Sequence, residues 1–180
     1  GSNEYKHGSH ALLRRRPTNG TLPQVTFVDG VDYVEDEGPP ADMQVGEDWT
    51  RKIYTAAVAS KLWPNMAILW TYDEAGGFAD HVPPPDKACV PTSSSADQAF
   101  TELGVRVPLA VISPYARPHY VSHVQQDHTA ITRFIETVFD LPALTARDAN
   151  SDALLDMFDF DCAPGPAPPA PAAGTGGCVA

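Results

Sequence analysis

The sequence predicts an α/β fold with a mostly parallel sheet, on three observations. Two continuous apolar runs, Met66 to Trp70 and Val105 to Ile112, lack the alternation of a half-exposed strand; unbroken runs of this kind suit strands covered on both faces. Helical periodicity precedes the first run and follows the second, and strands interleaved with helices are the signature of βαβ units. With 180 residues, 43 % of them hydrophobic, the chain can bury one sizeable core, so a single domain is the default.

Residues 1–20 are polar and aperiodic, carry the triplet Arg14-Arg15-Arg16, and are expected to form a flexible lead-in. Leu22 to Val28 mixes β-branched and apolar residues and closes on Asp29-Gly30, the pattern of a first strand and turn. Val34 to Pro40 is acidic and proline-bounded, hence a loop. From Gly46 to Lys61 the residues Trp49, Ile53, Ala56, Ala57 and Ser60 recur at helical spacing, with Glu47 and Asp48 early and Lys61 late, which predicts an amphipathic helix. Met66 to Trp70 is the next strand. A loop follows from Asp73 to Pro85, and Asp86 to Phe100 reads as a polar surface loop.

Val105 to Ile112 is predicted as a central strand ended by Ser113-Pro114-Tyr115. Ala130, Ile131, Phe134, Ile135, Val138 and Phe139 then define one helical face, with Asp127 or Thr129 as its cap. Leu141 to Phe160 holds short turns and a small helix around Ala153 to Phe158. The folded part is expected to span residues 21–162, and residues 163–180 form a Pro/Ala/Gly tail expected to be disordered.

The formal charge of −11, from 23 acids against 12 bases, argues against nucleic-acid binding, which needs a basic footprint. No apolar run has the length of a membrane-spanning helix, so no transmembrane segment is expected. The start Gly1-Ser2-Asn3 shows no signal-peptide pattern. Three cysteines, Cys89, Cys162 and Cys178, leave a Cys89–Cys162 disulfide or three free thiols open.

The chemistry concentrates after Trp70. Asp73 and Glu74 are adjacent carboxylates at a strand end, followed by Gly76-Gly77 and Asp80-His81. Neighbouring carboxylates repel unless a cation or a shared proton compensates them, so a divalent metal is the natural counter-charge. His81 lies on the same loop, and His123, Asp127 and His128 lie between the last strand and the helix it feeds. If all three groups follow strands on one sheet edge, they converge at the place where open α/β folds bind ligands. Carboxylates with imidazoles suit zinc, manganese or iron, whereas carboxylates alone suit magnesium or calcium. Simpler readings stand beside these. The acids also fit a solvated loop, His81 a backbone hydrogen bond, and Asp127-His128 a helix cap with the imidazole in the first turn.

The stretch Thr71-Tyr72-Asp73-Glu74-Ala75-Gly76-Gly77-Phe78-Ala79-Asp80-His81-Val82-Pro83-Pro84-Pro85 resembles the signature of the bacterial phosphoesterase family that contains phosphatidylcholine-type phospholipases C and metal-dependent acid phosphatases. Thr21 to Asp29, Val107 to Tyr115, Asp127 to Glu136 and Leu144 to Ala149 resemble further family blocks, in family order. The resemblance implies an alkaline-phosphatase-like three-layer sandwich with a mostly parallel sheet, represented here by its carboxy-terminal portion. It implies Asp73 and Glu74 as metal ligands, and it places His81 and His128 near the site as catalytic candidates without assigned roles. The expected reaction is hydrolysis of a phosphoester or phospholipid, with a hydroxyl nucleophile supplied by an amino-terminal half of the same domain that is missing here, so that this segment alone is inactive. Members of the family it resembles are usually exported, which implies a periplasmic or secreted location. The family segment resembled by Asp36-Glu37-Gly38-Pro39-Pro40 usually carries histidine where Gly38 stands. That departure keeps a second expectation open, a non-catalytic remnant or binding half-domain.

Overall fold

The structure is a computed structural model that describes residues 22–31, 33–85 and 103–161. The lead-in, the whole Asp86 to Phe100 loop, the tail and all three cysteines, with the disulfide they raise, lie outside these residues. Two compact units are present, divided at Met66/Ala67.

The first unit is built on helix α1, Met43–Val58. Asp42 caps it by accepting from the Gln44 amide at 3.0 Å, so the helix begins three residues before the expected Gly46. Ala57 and Gly46 are its buried positions, and Ser60 and Trp63 are buried just beyond its end. Pro64 stands in the 3-10 turn Trp63–Asn65 that follows. A Cβ on Gly46 would lie 2.6 Å from the Asp36 carbonyl oxygen, so the acidic loop passes directly against the helix. Glu37 is held there by the Thr50 hydroxyl at 2.9 Å.

Leu22 to Val28 is not a strand. Phe27 is 79 % exposed, and no partner strand lies beside the segment among the described residues. β-branched composition alone does not make a strand, because strands are stabilised by their neighbours.

The second unit carries the sheet. β1, Ile68–Thr71, pairs antiparallel with β2, Leu109–Ile112, in the register Ile68 with Ile112 and Thr71 with Leu109. This corrects the expected parallel arrangement for this pair. Parallel neighbours need a crossover, usually helical, and the described residues between β1 and β2 contain no helix. β2 is also shorter than its apolar run. Pro108 has no amide to donate, and its carbonyl instead accepts from the Thr71 hydroxyl at 2.8 Å, so the ladder starts after it.

Helix α2, Thr129–Phe139, and the short helix α3, Ala146–Ala149, pack against each other. Phe134 of α2 stacks on Phe158 with ring centroids 5.0 Å apart, and Phe158 stacks on Phe160 at 5.1 Å. Ala130, the fully buried Leu154 and the Phe158 ring form the core of the unit, and Phe160, more than half exposed, lies against it at the surface. The expected small helix near Phe158 is a 3-10 turn, Leu155–Met157.

The Asp73 to Pro85 loop turns at Ala75–Phe78, where the Phe78 amide donates to the Ala75 carbonyl at 3.0 Å. Gly76 and Gly77 occupy the centre at φ 62° and 79°, the type I′ geometry that glycine adopts without strain. A Cβ on Gly77 would touch nothing, so the requirement there is one of backbone conformation and not of space. Gly77→Ala is therefore expected to cost about 1 kcal/mol, read by urea unfolding, from forcing an L residue into the left-handed region.

Candidate functional site

β1 delivers Asp73 and Glu74 into the glycine turn, and each side chain folds back on its own loop. Asp73 Oδ1 accepts from the Glu74 amide at 2.9 Å, and Glu74 Oε1 accepts from the Gly76 amide at 3.0 Å. Both residues are exposed, and among the described residues the second oxygen of each carries no hydrogen bond. The loop thus presents two adjacent, oriented oxygens to solvent. Hard oxygen donors of this kind suit a divalent cation, and a pair is only part of a ligand set. Among the described residues no three His, Cys, Asp or Glu side chains converge as a metal cluster.

His128 is brought to this loop. Its Nε2 lies 2.8 Å from the carbonyl oxygen of Tyr72, the residue before Asp73, across 56 positions of sequence. A carbonyl only accepts, so Nε2 carries the hydrogen, and in a neutral imidazole the lone pair is then on Nδ1.

The route by which His128 arrives differs from the one its position in the sequence suggests. Because β1 and β2 are antiparallel, the residues after β2 leave from the opposite end of the sheet to Asp73. The segment after β2 makes a long return, pinned along residues 152–158. Arg117 Nε donates to the Phe158 carbonyl at 2.9 Å, and Tyr120 and Ser122 both donate to Asp156 Oδ2, at 2.9 and 2.6 Å. Gln126 donates to Asp152 at 3.1 Å.

Asp127 then fixes the start of α2. It accepts from the Thr129 amide at 2.8 Å and pairs with Arg147 of α3 at 3.2 Å. Burial raises the Asp127 carboxyl, but the Thr129 hydroxyl and amide and the Arg147 charge outweigh it and hold the group below its ordinary range. Asp127 is therefore a cap and an ion-pair partner, and it sets the position of His128 beside it.

His81 and His123 are exposed, and no hydrogen bond joins either to Asp73, Glu74 or His128 among the described residues. The neighbour of His81 has the structural role. Asp80 takes a bidentate fork from Arg106, at 2.7 Å from Nε and 2.9 Å from Nη2, and accepts the Val82 amide at 3.1 Å. This fork ties the acidic loop to the segment entering β2. Nothing in the sequence pairs residues 26 positions apart in this way, so the contact is not visible without the fold.

Arg106 first, then the Val82 amide, holds the Asp80 carboxyl far below the usual carboxylate range. Since the folded value is the lower one, the fork contributes stability above about pH 3.9, the ordinary aspartate value, and loses it as the pH falls further. Arg106→Ala is expected to return Asp80 to that ordinary range in a carboxyl NMR titration and to speed amide exchange at Val82.

The sequence profile of the Phosphoesterase family matches residues 2–142. The chain is 34 % identical over 155 residues to Non-specific phospholipase C1 of Arabidopsis thaliana, covering 77 % of this chain and 29 % of that protein. It is 37 % identical over 172 residues to Phospholipase C B of Mycobacterium tuberculosis, covering 84 % and 32 % respectively. Against Non-hemolytic phospholipase C of Burkholderia pseudomallei the identity is 31 % over 184 residues, covering 89 % and 26 %. The chain therefore spans less than a third of the length of these relatives.

Proposed function

The chain belongs to the Phosphoesterase family, and from that premise we propose that it contributes a phosphate-site loop to a phosphoric-ester hydrolase of the phospholipase C or acid phosphatase type. The observation that supports this most is the bond from His128 to the Tyr72 carbonyl, which joins two family-like blocks at the paired acids. Asp73 Oδ2 and Glu74 Oε2 would hold a divalent cation, their other oxygens being fixed by loop amides. When bound, such a cation supplies charge stabilisation at phosphoryl oxygens.

The chain's own residues act around that point. The type I′ turn and the Asp80–Arg106 fork hold the acids in place, so little ordering remains to be done when substrate arrives. His128, with Nε2 committed to Tyr72, offers Nδ1 as a proton acceptor or hydrogen-bond acceptor. His81 is kept as a second candidate at the exposed end of the loop. The hydroxyl nucleophile comes from the part of the domain that the relatives carry outside the matched region. In the completed domain, the β1–β2 ladder joins the mostly parallel sheet of an alkaline-phosphatase-like sandwich. The substrate is a phosphoester or phospholipid, and the location is periplasmic or secreted. No helix among the described residues is long and apolar enough to cross a membrane.

The test is reconstitution. The 180-residue chain alone is expected to show no turnover of p-nitrophenyl phosphate or p-nitrophenyl phosphorylcholine with manganese, zinc, calcium, iron or magnesium. Joined to the amino-terminal portion of a relative, it is expected to gain turnover. Persistent inactivity of a folded, complete domain would favour the second reading, a non-catalytic binding half-domain.

Gly38 is the feature that favours that second reading. Its Cβ would meet nothing within 4 Å and its φ lies outside the left-handed region, so the local structure accepts a side chain. Gly38→His is expected to leave stability within about 0.5 kcal/mol. If the missing donor limits the reaction, the same variant raises turnover of the reconstituted domain.

A further inference from the structure

The consecutive side chains that lead into α2 divide between two anchors. His128 reaches back to the Tyr72 carbonyl, whereas Gln126, Asp127 and Thr129 all bond to residues 147–152. Gln126 Nε2 donates to Asp152 Oδ1 at 3.1 Å, and Arg147 Nε donates to Asp127 Oδ2 at 3.2 Å. The remaining link is a pair of hydroxyls. Thr129 Oγ1 lies 2.5 Å from Asp127 Oδ1 and 2.5 Å from Ser151 Oγ.

The direction of this link follows from the hydrogens available. A carboxylate only accepts, so Thr129 commits its single hydroxyl hydrogen to Asp127 and accepts from Ser151. Ser151 is therefore the terminal donor, and each bond of the series Ser151 to Thr129 to Asp127 polarises the next. A longer contact of 3.5 Å also joins Ser151 Oγ to Asp127 Oδ1. The end of α3 sets Ser151 in place, its amide donating to the Asp148 carbonyl at 3.0 Å. Asp127, Thr129, Arg147 and Ser151 are half-buried, while the His128 they surround is exposed.

We propose that Ser151 is a positioning residue for His128. An exposed imidazole with a bond to one carbonyl swings away from it unless the backbone on both sides of the histidine is fixed. Ser151 fixes both sides at once, because its hydroxyl joins the side chain of the residue after His128 to that of the residue before it. The ring is thereby held where Nε2 meets the Tyr72 carbonyl at 2.8 Å, beside Asp73. The catalytic value of that placement rests on the reading proposed above, in which His128 serves the phosphate-site loop; the placement itself does not.

The test begins with the 180-residue chain, isotope-labelled at histidine. Nuclear Overhauser contacts between the His128 ring and the Tyr72–Asp73 backbone are expected in the wild type, to be lost in Ser151→Ala and to return in Ser151→Thr, which keeps the hydroxyl. In the reconstituted domain, Ser151→Ala is expected to lower kcat about tenfold at unchanged KM, and to lower it no further when His128 is already alanine. A purely structural Ser151 gives another pattern: the urea midpoint falls, the ring contacts persist, and the loss of kcat is the same with or without His128. That pattern, or a wild-type chain without the contacts, would overturn the positioning. If Ser151→Ala does not fold by circular dichroism, Thr129→Val breaks the same link at its middle, and persistent ring contacts there overturn it equally. Ring contacts that respond as expected in a reconstituted domain without turnover would remove the proposed function and leave the positioning standing.

Discussion

Asp73→Ala, placed in the reconstituted domain, is expected to lower phosphoester turnover about a thousandfold, equivalent to about 4 kcal/mol of transition-state stabilisation. The size follows from what the residue does twice. Asp73 Oδ1 fixes the Glu74 amide, and its other oxygen points out of the loop as one of the two proposed ligands. Asp73→Asn separates these roles, because the amide oxygen still accepts from Glu74 while the negative charge is gone. If ligation dominates, Asn is nearly as damaging as Ala, and bound metal per chain falls with both. Should Asn keep most of the turnover, the residue shapes the loop and does not hold a cation. Unchanged turnover and metal content in Asp73→Ala would remove it from the site.

Asp148→Ala is expected to destabilise the second unit by about 3 kcal/mol, measured by urea unfolding. Asp148 is 2 % exposed and accepts from the Leu144 amide at 2.8 Å, the Thr145 amide at 2.7 Å and the Thr145 hydroxyl. Its loss opens the capping box of α3, removes the acceptor of the Thr145 amide and leaves the Leu144 amide with its bond to Glu136 Oε1 at 3.1 Å. The consequence reaches the site, since Arg147 of α3 pairs with Asp127, which positions His128. Burial opposes ionisation of Asp148, but bonds donated by the Thr145 hydroxyl and by the Leu144 amide prevail and hold its carboxyl far below the ordinary range. A depressed folded value means that this contribution is complete above about pH 3.9 and declines as the pH drops toward the folded value. Wild-type stability is therefore expected to fall on acidification below that point, and Asp148→Ala to flatten the decline. An equally steep acid limb in the variant would place the titrating group elsewhere.

The two long helices were legible because their signal is local, whereas the short α3, Ala146–Ala149, was not expected. The spacing of Ile53, Ala56 and Ala57 marks α1, and that of Ala130, Ile131 and Phe134 marks α2, each within a residue or a turn of its observed limits. Asp127 was legible as a cap for the same reason, its partner Thr129 being two positions away. The strands were less so. Continuous apolar runs located β1 and β2 but said nothing of direction, since the same side chains suit a parallel or an antiparallel neighbour. Leu22 to Val28 had strand composition and no partner strand among the described residues.

At the candidate site the residue types and the turn were readable from Asp73-Glu74-Ala75-Gly76-Gly77, because adjacent charges and paired glycines have local consequences. Convergence at one sheet edge was the wrong route to His128. The antiparallel register sends the chain away from Asp73 after β2, and only the return past Asp156 and Phe158 brings the imidazole to Tyr72. By itself the sequence determined the family, the two long helices, the glycine turn and the acids exposed on it, all properties of neighbouring residues. Tertiary structure alone decided the strand direction, the Asp80–Arg106 fork and the bond from His128 Nε2 to the Tyr72 carbonyl. Each of those joins groups tens of residues apart, and such a contact exists only once chain entropy has been offset by packing the segments between them.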